Sequence, residues 1–337
     1  MKKLTVGIIG AGRIGKVHAI SITNNVPEAK IKWIADYKLD AIGAWADEMG
    51  IPNKTDNHMD ILNDPEVDAV LICSSTDTHS QFVIDAANAG KHIFCEKPVD
   101  LSIDKIKAAL AAVEKAGVKL QIGFNRRFDH NFRTIKRMVL EGKIGDPHII
   151  KITSRDPAPP PASYVKVSGG IFNDMTIHDF DMARFLSGSE ADEVYVAGAV
   201  LVDPAIGEAG DIDTALITIK MKNGAIVNID NSRKAAYGYD QRAEVFGSKG
   251  KLESGNDTPS TVTLSTEEAV ISEKPLYFFL ERYMDSFRDE MKEFIEAVVQ
   301  DKPTPVQGID GLKPALIAQA ALKSYKENRP VKMSEVE

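Results

Sequence analysis

Cysteine, aromatic rings and any excess of positive charge are all in short supply in this chain, and each shortage removes a class of protein. Two cysteines in 337 residues, Cys73 and Cys95, cannot staple a secreted scaffold or build a cysteine-rich metal site. Each sits at the end of an apolar run, where a small buried thiol is the usual state. Aromatic residues make up 7% of the chain, and the formal net charge is −8 with a pI near 5.5. A basic, aromatic-lined nucleic-acid surface is therefore not expected. No apolar stretch approaches the roughly twenty residues that a membrane span needs. Met1-Lys2-Lys3 leads straight into a short strand rather than a signal peptide, so a cytoplasmic protein is expected.

What the chain does have is a core-forming share of 43% hydrophobic residues, enough for about two domains. The first begins with an apolar run, Leu4 to Ile9, then Gly10-Ala11-Gly12-Arg13-Ile14-Gly15, then a helical pattern. Strand, tight turn and helix in that order make the setting of a dinucleotide site. Gly10 permits the sharp turn, Gly12 lets backbone approach a pyrophosphate, and Gly15 lets helix and strand touch. The amino end of the helix then holds the anion. A second strand, Ile31 to Asp36, ends in an acid at the distance where a carboxylate binds the adenosine ribose hydroxyls. That carboxylate repels a 2′-phosphate, so NAD is expected over NADP, with Lys38 softening the repulsion.

Strands at Leu4 to Ile9, Ile31 to Asp36, Ala69 to Cys73, His92 to Cys95 and Lys119 to Gly123 alternate with helices. This predicts an α/β Rossmann domain with a doubly wound parallel sheet over residues 1–123. From Ile149 strand follows strand, at Val194 to Val200, Ala215 to Lys220, Ala225 to Asn231, Ala243 to Phe246 and Thr261 to Leu264. Residues 124–337 are therefore expected to form an α+β substrate-binding and oligomerisation domain with a large, mainly antiparallel open sheet. Helices are predicted at Phe279 to Gln300 and Gly311 to Tyr325, with the C-terminal helix free to pack back on the first domain. Asp156-Pro157-Ala158-Pro159-Pro160-Pro161 is the only low-complexity stretch. It reads equally as a stiff active-site loop or a surface connector.

Oxidation of a secondary alcohol by a nicotinamide needs a base close to the hydroxyl oxygen with a pKa near the working pH. His178 suits that task. If Ile171 to Phe185 is one helix, Asp174 four residues earlier shares its face and can orient the imidazole and stabilise its protonated form. A surface ion pair is the structural alternative. Asp174, His178 and Asp181 also read as possible metal ligands, but no further residue at a familiar spacing supports this, and no metal is expected.

Gly10 to Gly15, then Glu96-Lys97-Pro98, then Gly123-Phe124-Asn125-Arg126-Arg127-Phe128, then Gly169-Gly170 with Asp174 and His178-Asp179 follow one another along the chain. Together they resemble the glucose–fructose oxidoreductase and inositol dehydrogenase family over essentially the whole length. Arg126-Arg127-Phe128-Asp129 and Ser154-Arg155-Asp156-Pro157 are similar to its inositol 2-dehydrogenase branch. The resemblance implies an NAD-dependent oxidoreductase that turns a secondary hydroxyl of inositol into a ketone, or acts on another sugar or cyclic polyol.

It supplies Lys97 as a third catalytic residue beside Asp174 and His178, an ammonium at the carboxyl edge of the sheet that steadies a developing alkoxide. It implies cofactor contacts beyond the glycine turn and Asp36 from Ser74, Ser75, Thr76, His79, Glu96, Lys97 and Arg127, although Ser74 to Thr76 also read as a plain helix cap. Substrate contacts are implied at Lys97, Arg127, Arg155, Asp156, Asp174, His178 and Tyr237. Sheet-to-sheet dimers assembling into a homotetramer are implied as well. A nucleotide-binding regulator without turnover is the alternative from another class, and Lys97, Asp174 and His178 together speak against it.

Overall fold

The computed structural model describes residues 3–337, and the chain divides into two compact units. Residues 1–128 and 285–315 make the first, residues 129–284 and 316–337 the second.

The sheet of the first unit has six strands: β1 (Leu4–Ile9), β2 (Ala29–Ala35), β3 (Asn53–Thr55), β4 (Ala69–Ile72), β5 (His92–Glu96) and β6 (Leu120–Gly123). They lie in the order β3-β2-β1-β4-β5-β6 and pair in parallel throughout. Every residue of β1 and β4 is buried, as expected of strands covered on both faces. The order reverses between β1 and β4, which opens the crevice where doubly wound sheets take their ligands. The strand that sequence reading missed is β3, whose three residues Asn53-Lys54-Thr55 carry no apolar signal because they form the short polar edge.

The expected boundary after residue 123 does not describe this division, since the chain returns to the first unit at Asp285. The helix Met284–Val299 buries Met291, Phe294 and Ile295 in the same core as Val6, Ile8, Leu71 and Phe94. The rings of Phe94 and Phe294 stand 5.9 Å apart. Beyond the helix, Thr304 Oγ1 donates to the Leu120 carbonyl at 2.7 Å, and Ile122 N donates to the Val306 carbonyl at 3.1 Å. An amphipathic pattern says that a helix has a buried face but not which unit buries it. The predicted helix Phe279 to Gln300 is in fact two, Phe279–Arg282 and Met284–Val299, parted at the buried Tyr283.

The second unit is built on a seven-stranded sheet. Its strands are β7 (Pro147–Arg155), β8 (Ala191–Ala199), β9 (Thr214–Met221), β10 (Ile226–Ser232), β11 (Asp240–Gly247), β12 (Gly250–Ser254) and β15 (Val331–Lys332). They are ordered β12-β11-β7-β10-β9-β8-β15. All pairs are antiparallel except β7 with β10, which run parallel with Ile149 opposite Ile226. The predicted strand Thr261 to Leu264 lies outside this sheet. There Thr263–Ser265 (β13) pairs only with Val270–Ser272 (β14) as an exposed hairpin.

One face of the large sheet is dry, with Ile217, Ile219, Val227, Ile229 and Val245 fully buried. The other is open: Phe246, Ile149 and Ile226 lie in register across β11, β7 and β10 and are 45%, 41% and 44% exposed.

Phe294 is fully buried between the returning helix and the sheet of the first unit. Phe294→Ala should destabilise the protein by about 3–5 kcal/mol, read as a shift of the denaturant midpoint with the slope unchanged; a loss below about 1 kcal/mol would mean the helix is not part of that core.

Candidate active site

The turn after β1 shows why glycine stands at its first position. Gly10 has φ +100°, and a Cβ on it would lie 2.5 Å from Ser74 N and 2.6 Å from the Cys73 carbonyl carbon. A Cβ on Gly15 would meet the Gly10 carbonyl oxygen at 2.0 Å, so helix and turn touch backbone to backbone. Above Gly12 the situation is opposite, because a Cβ there would meet nothing within 4 Å. The helix Arg13–Asn25 that follows has no side-chain cap and no acid in its first turn. A helix amino end without its own anion, beside open space, fits a pyrophosphate.

Asp36 closes the second side of this cradle. Its Oδ2 accepts from Ala11 N and its Oδ1 from Lys38 N, both at 2.9 Å. The acid at the end of the second strand is thereby fixed against the glycine turn.

The loops after β4 and β5 are tied together. His79 is buried, with Nδ1 2.8 Å from the Pro98 carbonyl oxygen and Nε2 3.1 Å from that of Ser74. Ser74 Oγ pairs with Thr78 Oγ1 at 2.7 Å, while Ser75 occupies the N-cap position of the helix Thr76–Asn88 without a side-chain bond. Ser80 Oγ donates to Asp100 Oδ2 at 2.5 Å. Lys97 thus leaves β5 on a loop held from both sides. The Glu96 carboxylate turns inward, to His18 and the Lys97 backbone. Arg127 Nη2 donates to Asp310 Oδ1 at 2.9 Å.

In the second unit, Asp174 and His178 are not on one helix. Asp174 ends the short helix Gly170–Asp174, and His178 lies in the first turn of Ile177–Ser187. The break has a visible cause: the Ile171 carbonyl takes the N–H of both Met175 and Thr176, and the Thr176 hydroxyl turns to Asn231 Oδ1 of β10 at 2.6 Å. Asn231 Nδ2 in turn donates to Asp179 Oδ2 at 2.9 Å and to the Ser154 carbonyl at 3.2 Å. Three buried polar groups therefore pin the start of the helix that carries His178.

Both oxygens of Asp174 are engaged. Tyr164 Oη donates to Oδ1 at 2.9 Å, and Arg233 Nη2 to Oδ2 at 2.8 Å. Arg233 reaches Asp156 Oδ2 with its other nitrogen, at 3.3 Å. Burial pulls the Arg233 pKa down, but the two carboxylates outweigh it and hold the guanidinium above its ordinary value. Asp156 and Asp174 are thus brought together by a residue that sequence reading passed over. Arg233 follows the end of β10, and nothing local marks an arginine there as different from a solvated one.

Arg155 and Tyr237 form a second knot. Arg155 grips Asp230 with Nε and Nη2, and its Nη1 donates to Tyr237 Oη at 3.0 Å. Tyr237 donates to the buried Asp240 at 2.5 Å. Burial and that bond raise the tyrosine's pKa, so it stays a neutral hydroxyl.

A glycine turn at the reversal of a parallel sheet, with the acid that ends the second strand fixed against it, defines a dinucleotide-binding Rossmann unit. The chain belongs to the GFO/IDH/MocA oxidoreductase family: residues 4–124 match its NAD-binding Rossmann fold and residues 132–253 its C-terminal domain. It is 53% identical to an uncharacterized oxidoreductase of Bacillus subtilis (strain 168), over 100% of this chain and 98% of that one. It is 49% identical to the myo-inositol 2-dehydrogenase of Thermotoga maritima, over 99% of each. The crystal structure of scyllo-inositol dehydrogenase from Lactobacillus casei with bound NAD(H) and scyllo-inositol superposes with a TM-score of 0.92 at 32% identity, over 99% of this chain and 100% of that chain.

Asp36→Ser removes the carboxylate fixed against the glycine turn. The NAD:NADP ratio of kcat/KM should fall by roughly tenfold or more, about 1.4 kcal/mol. A wild-type enzyme already as efficient with NADP as with NAD would refute the role given to this carboxylate.

Proposed function

We propose that this protein is an NAD-dependent inositol 2-dehydrogenase, oxidising one secondary ring hydroxyl to the ketone. One observation carries the reading: the end-to-end match to the myo-inositol 2-dehydrogenase of Thermotoga maritima, in a chain that has Lys97, Asp174 and His178. Bound NAD supplies the electron-pair acceptor for the hydride that leaves the carbinol carbon.

The protein's own residues handle the proton. His178 takes the hydroxyl proton as the C–O bond gains double-bond character, and returns it in the reverse direction. Lys97 donates a hydrogen bond to the same oxygen and lowers the cost of the alkoxide. Asp174 stabilises the imidazolium that forms on His178. Arg233 and Tyr164 hold that carboxylate from both sides, so it keeps one rotamer. Arg155, Asp156 and Tyr237 offer donors and acceptors in fixed positions to the remaining hydroxyls of a polyol, because each is already bonded to a partner.

We also read the protein as a cytoplasmic homotetramer whose subunits bury the open face of the large sheet. The register row Phe246, Ile149 and Ile226 supports a second copy as the partner, since aligned exposed apolar side chains on a sheet favour burial. Among the described residues no helix is long and apolar enough to cross a membrane. Sedimentation should give a mass near four times 36.8 kDa; a monomer at micromolar concentration would overturn this assembly.

Mixing enzyme, NAD and myo-inositol should raise NADH absorbance, and a panel of inositol isomers and aldoses ranks the substrates. His178→Ala should cut kcat by roughly a hundredfold or more while NAD binds with near wild-type affinity. Asp174→Asn should also be slow and should shift the acid limb of the pH profile. It additionally deprives the buried Arg233 of one of its two carboxylates, so its melting temperature should fall. If His178→Ala keeps most of its hydride-transfer rate and loses only NAD binding, His178 is not the base.

A further inference from the structure

The helix that returns to the first unit brings a carboxylate into the core. Glu290 is fully buried, and neither of its oxygens has a hydrogen-bond partner. One of its oxygens, a ring nitrogen of His18 and a Glu96 oxygen all lie within 4.8 Å of one another. His18 Nε2 is 2.7 Å from Glu96 Oε1, and Glu96 Oε2 accepts the backbone N–H of Lys97 at 3.3 Å. The fit is close on the far side too, where a Cβ on Gly123 would stand 2.9 Å from Glu96 Oε2. The groups facing Glu290 are His18 from the helix Arg13–Asn25, the buried thiol of Cys73 after β4, and Glu96, which also has the buried thiol of Cys95 on β5 beside it.

Two ionised carboxylates side by side in a dry core demand a compensating proton or cation. Ligands sharing one zinc-like cation stand about 3.3 Å apart or more, from bond lengths near 2.0–2.2 Å, whereas 2.7 Å is a hydrogen-bond separation.

We propose that Glu290 is a neutral acid packed beside the hydrogen-bonded pair His18 and Glu96, and that this buried cluster holds Glu96 where it fixes the backbone entering Lys97. Glu290 and His18 are then positioning residues for the lysine that steadies the alkoxide, a role that rests on the reading of Lys97 given above. Burial, and the Glu96 charge beside it, push the Glu290 carboxyl well above the usual carboxylate range. A carboxyl raised in the fold contributes stability that is complete below the ordinary carboxylate range and is lost as pH rises through the folded value.

The test uses the full-length protein with Glu290→Gln, which keeps a neutral donor, and Glu290→Leu, which does not. Between about pH 5 and about pH 9 the wild-type melting temperature should fall relative to that of Glu290→Gln, by roughly 3 °C or more at the alkaline end. Glu290→Leu should lower kcat by roughly tenfold with KM for NAD within about threefold, and Glu290→Gln should recover most of the loss. Parallel melting curves, or a Leu variant with wild-type kcat, would overturn the proposal. So would one equivalent of divalent metal in the wild type that disappears in Glu290→Gln. If the Leu variant does not fold, the Gln melting comparison decides alone. If the wild type fails to oxidise any inositol, the assigned reaction falls, and the melting comparison still judges whether Glu290 is a neutral acid.

Discussion

At the crevice of the parallel sheet the backbone after β1 and the backbone after β4 run so close that no side chain fits between them. Gly10, with Cys73 and Ser74 within 2.6 Å of the Cβ it lacks, is that constraint. The nucleotide end of the site depends on it. The close approach aims the helix amino end at the crevice, sets Ala11 N against Asp36, and brings the β4 loop near enough to the β5 loop for one histidine side chain, His79, to tie both. A larger residue at position 10 would also have to adopt φ +100°, which only glycine does without strain.

The nucleotide end was legible in the sequence because its physics is local. A strand, three spaced glycines and an acid ending the next strand fall within about thirty residues, and each glycine reports a steric requirement of its own. The strands of the first unit were read to within two residues, β3 excepted, since buried parallel strands are nearly unbroken apolar runs. The second sheet was legible for a related reason, its alternation of buried and exposed residues.

What escaped was everything made by distant pairs. Arg233 meets Asp174 across 59 residues, and Gln121 Nε2 meets the Glu290 carbonyl across 169. A single chain contains no local cue for either partnership. The helix read as continuous from Ile171 to Phe185 failed the same way: its residues favour a helix, but a threonine drawn to an asparagine 55 positions on opens the turn. The division into units escaped too, because helix amphipathicity names a buried face and not the surface that buries it.

The two units solve one electrostatic problem differently. Each holds two carboxylates close to the residues assigned to proton chemistry. In the second unit the pair Asp156 and Asp174 is balanced by a permanent cation, Arg233, whose charge does not change over any ordinary pH. In the first, Glu96 and Glu290 lie beside an imidazole and buried thiols rather than a guanidinium, and the proposed balance is struck with a proton. The carboxylates of the second unit, Asp156 and Asp174, are thus locked by arginine. On the proposed reading Glu96 holds the loop through the Lys97 N–H while Glu290 beside it carries the proton, which makes that loop's support sensitive to alkali.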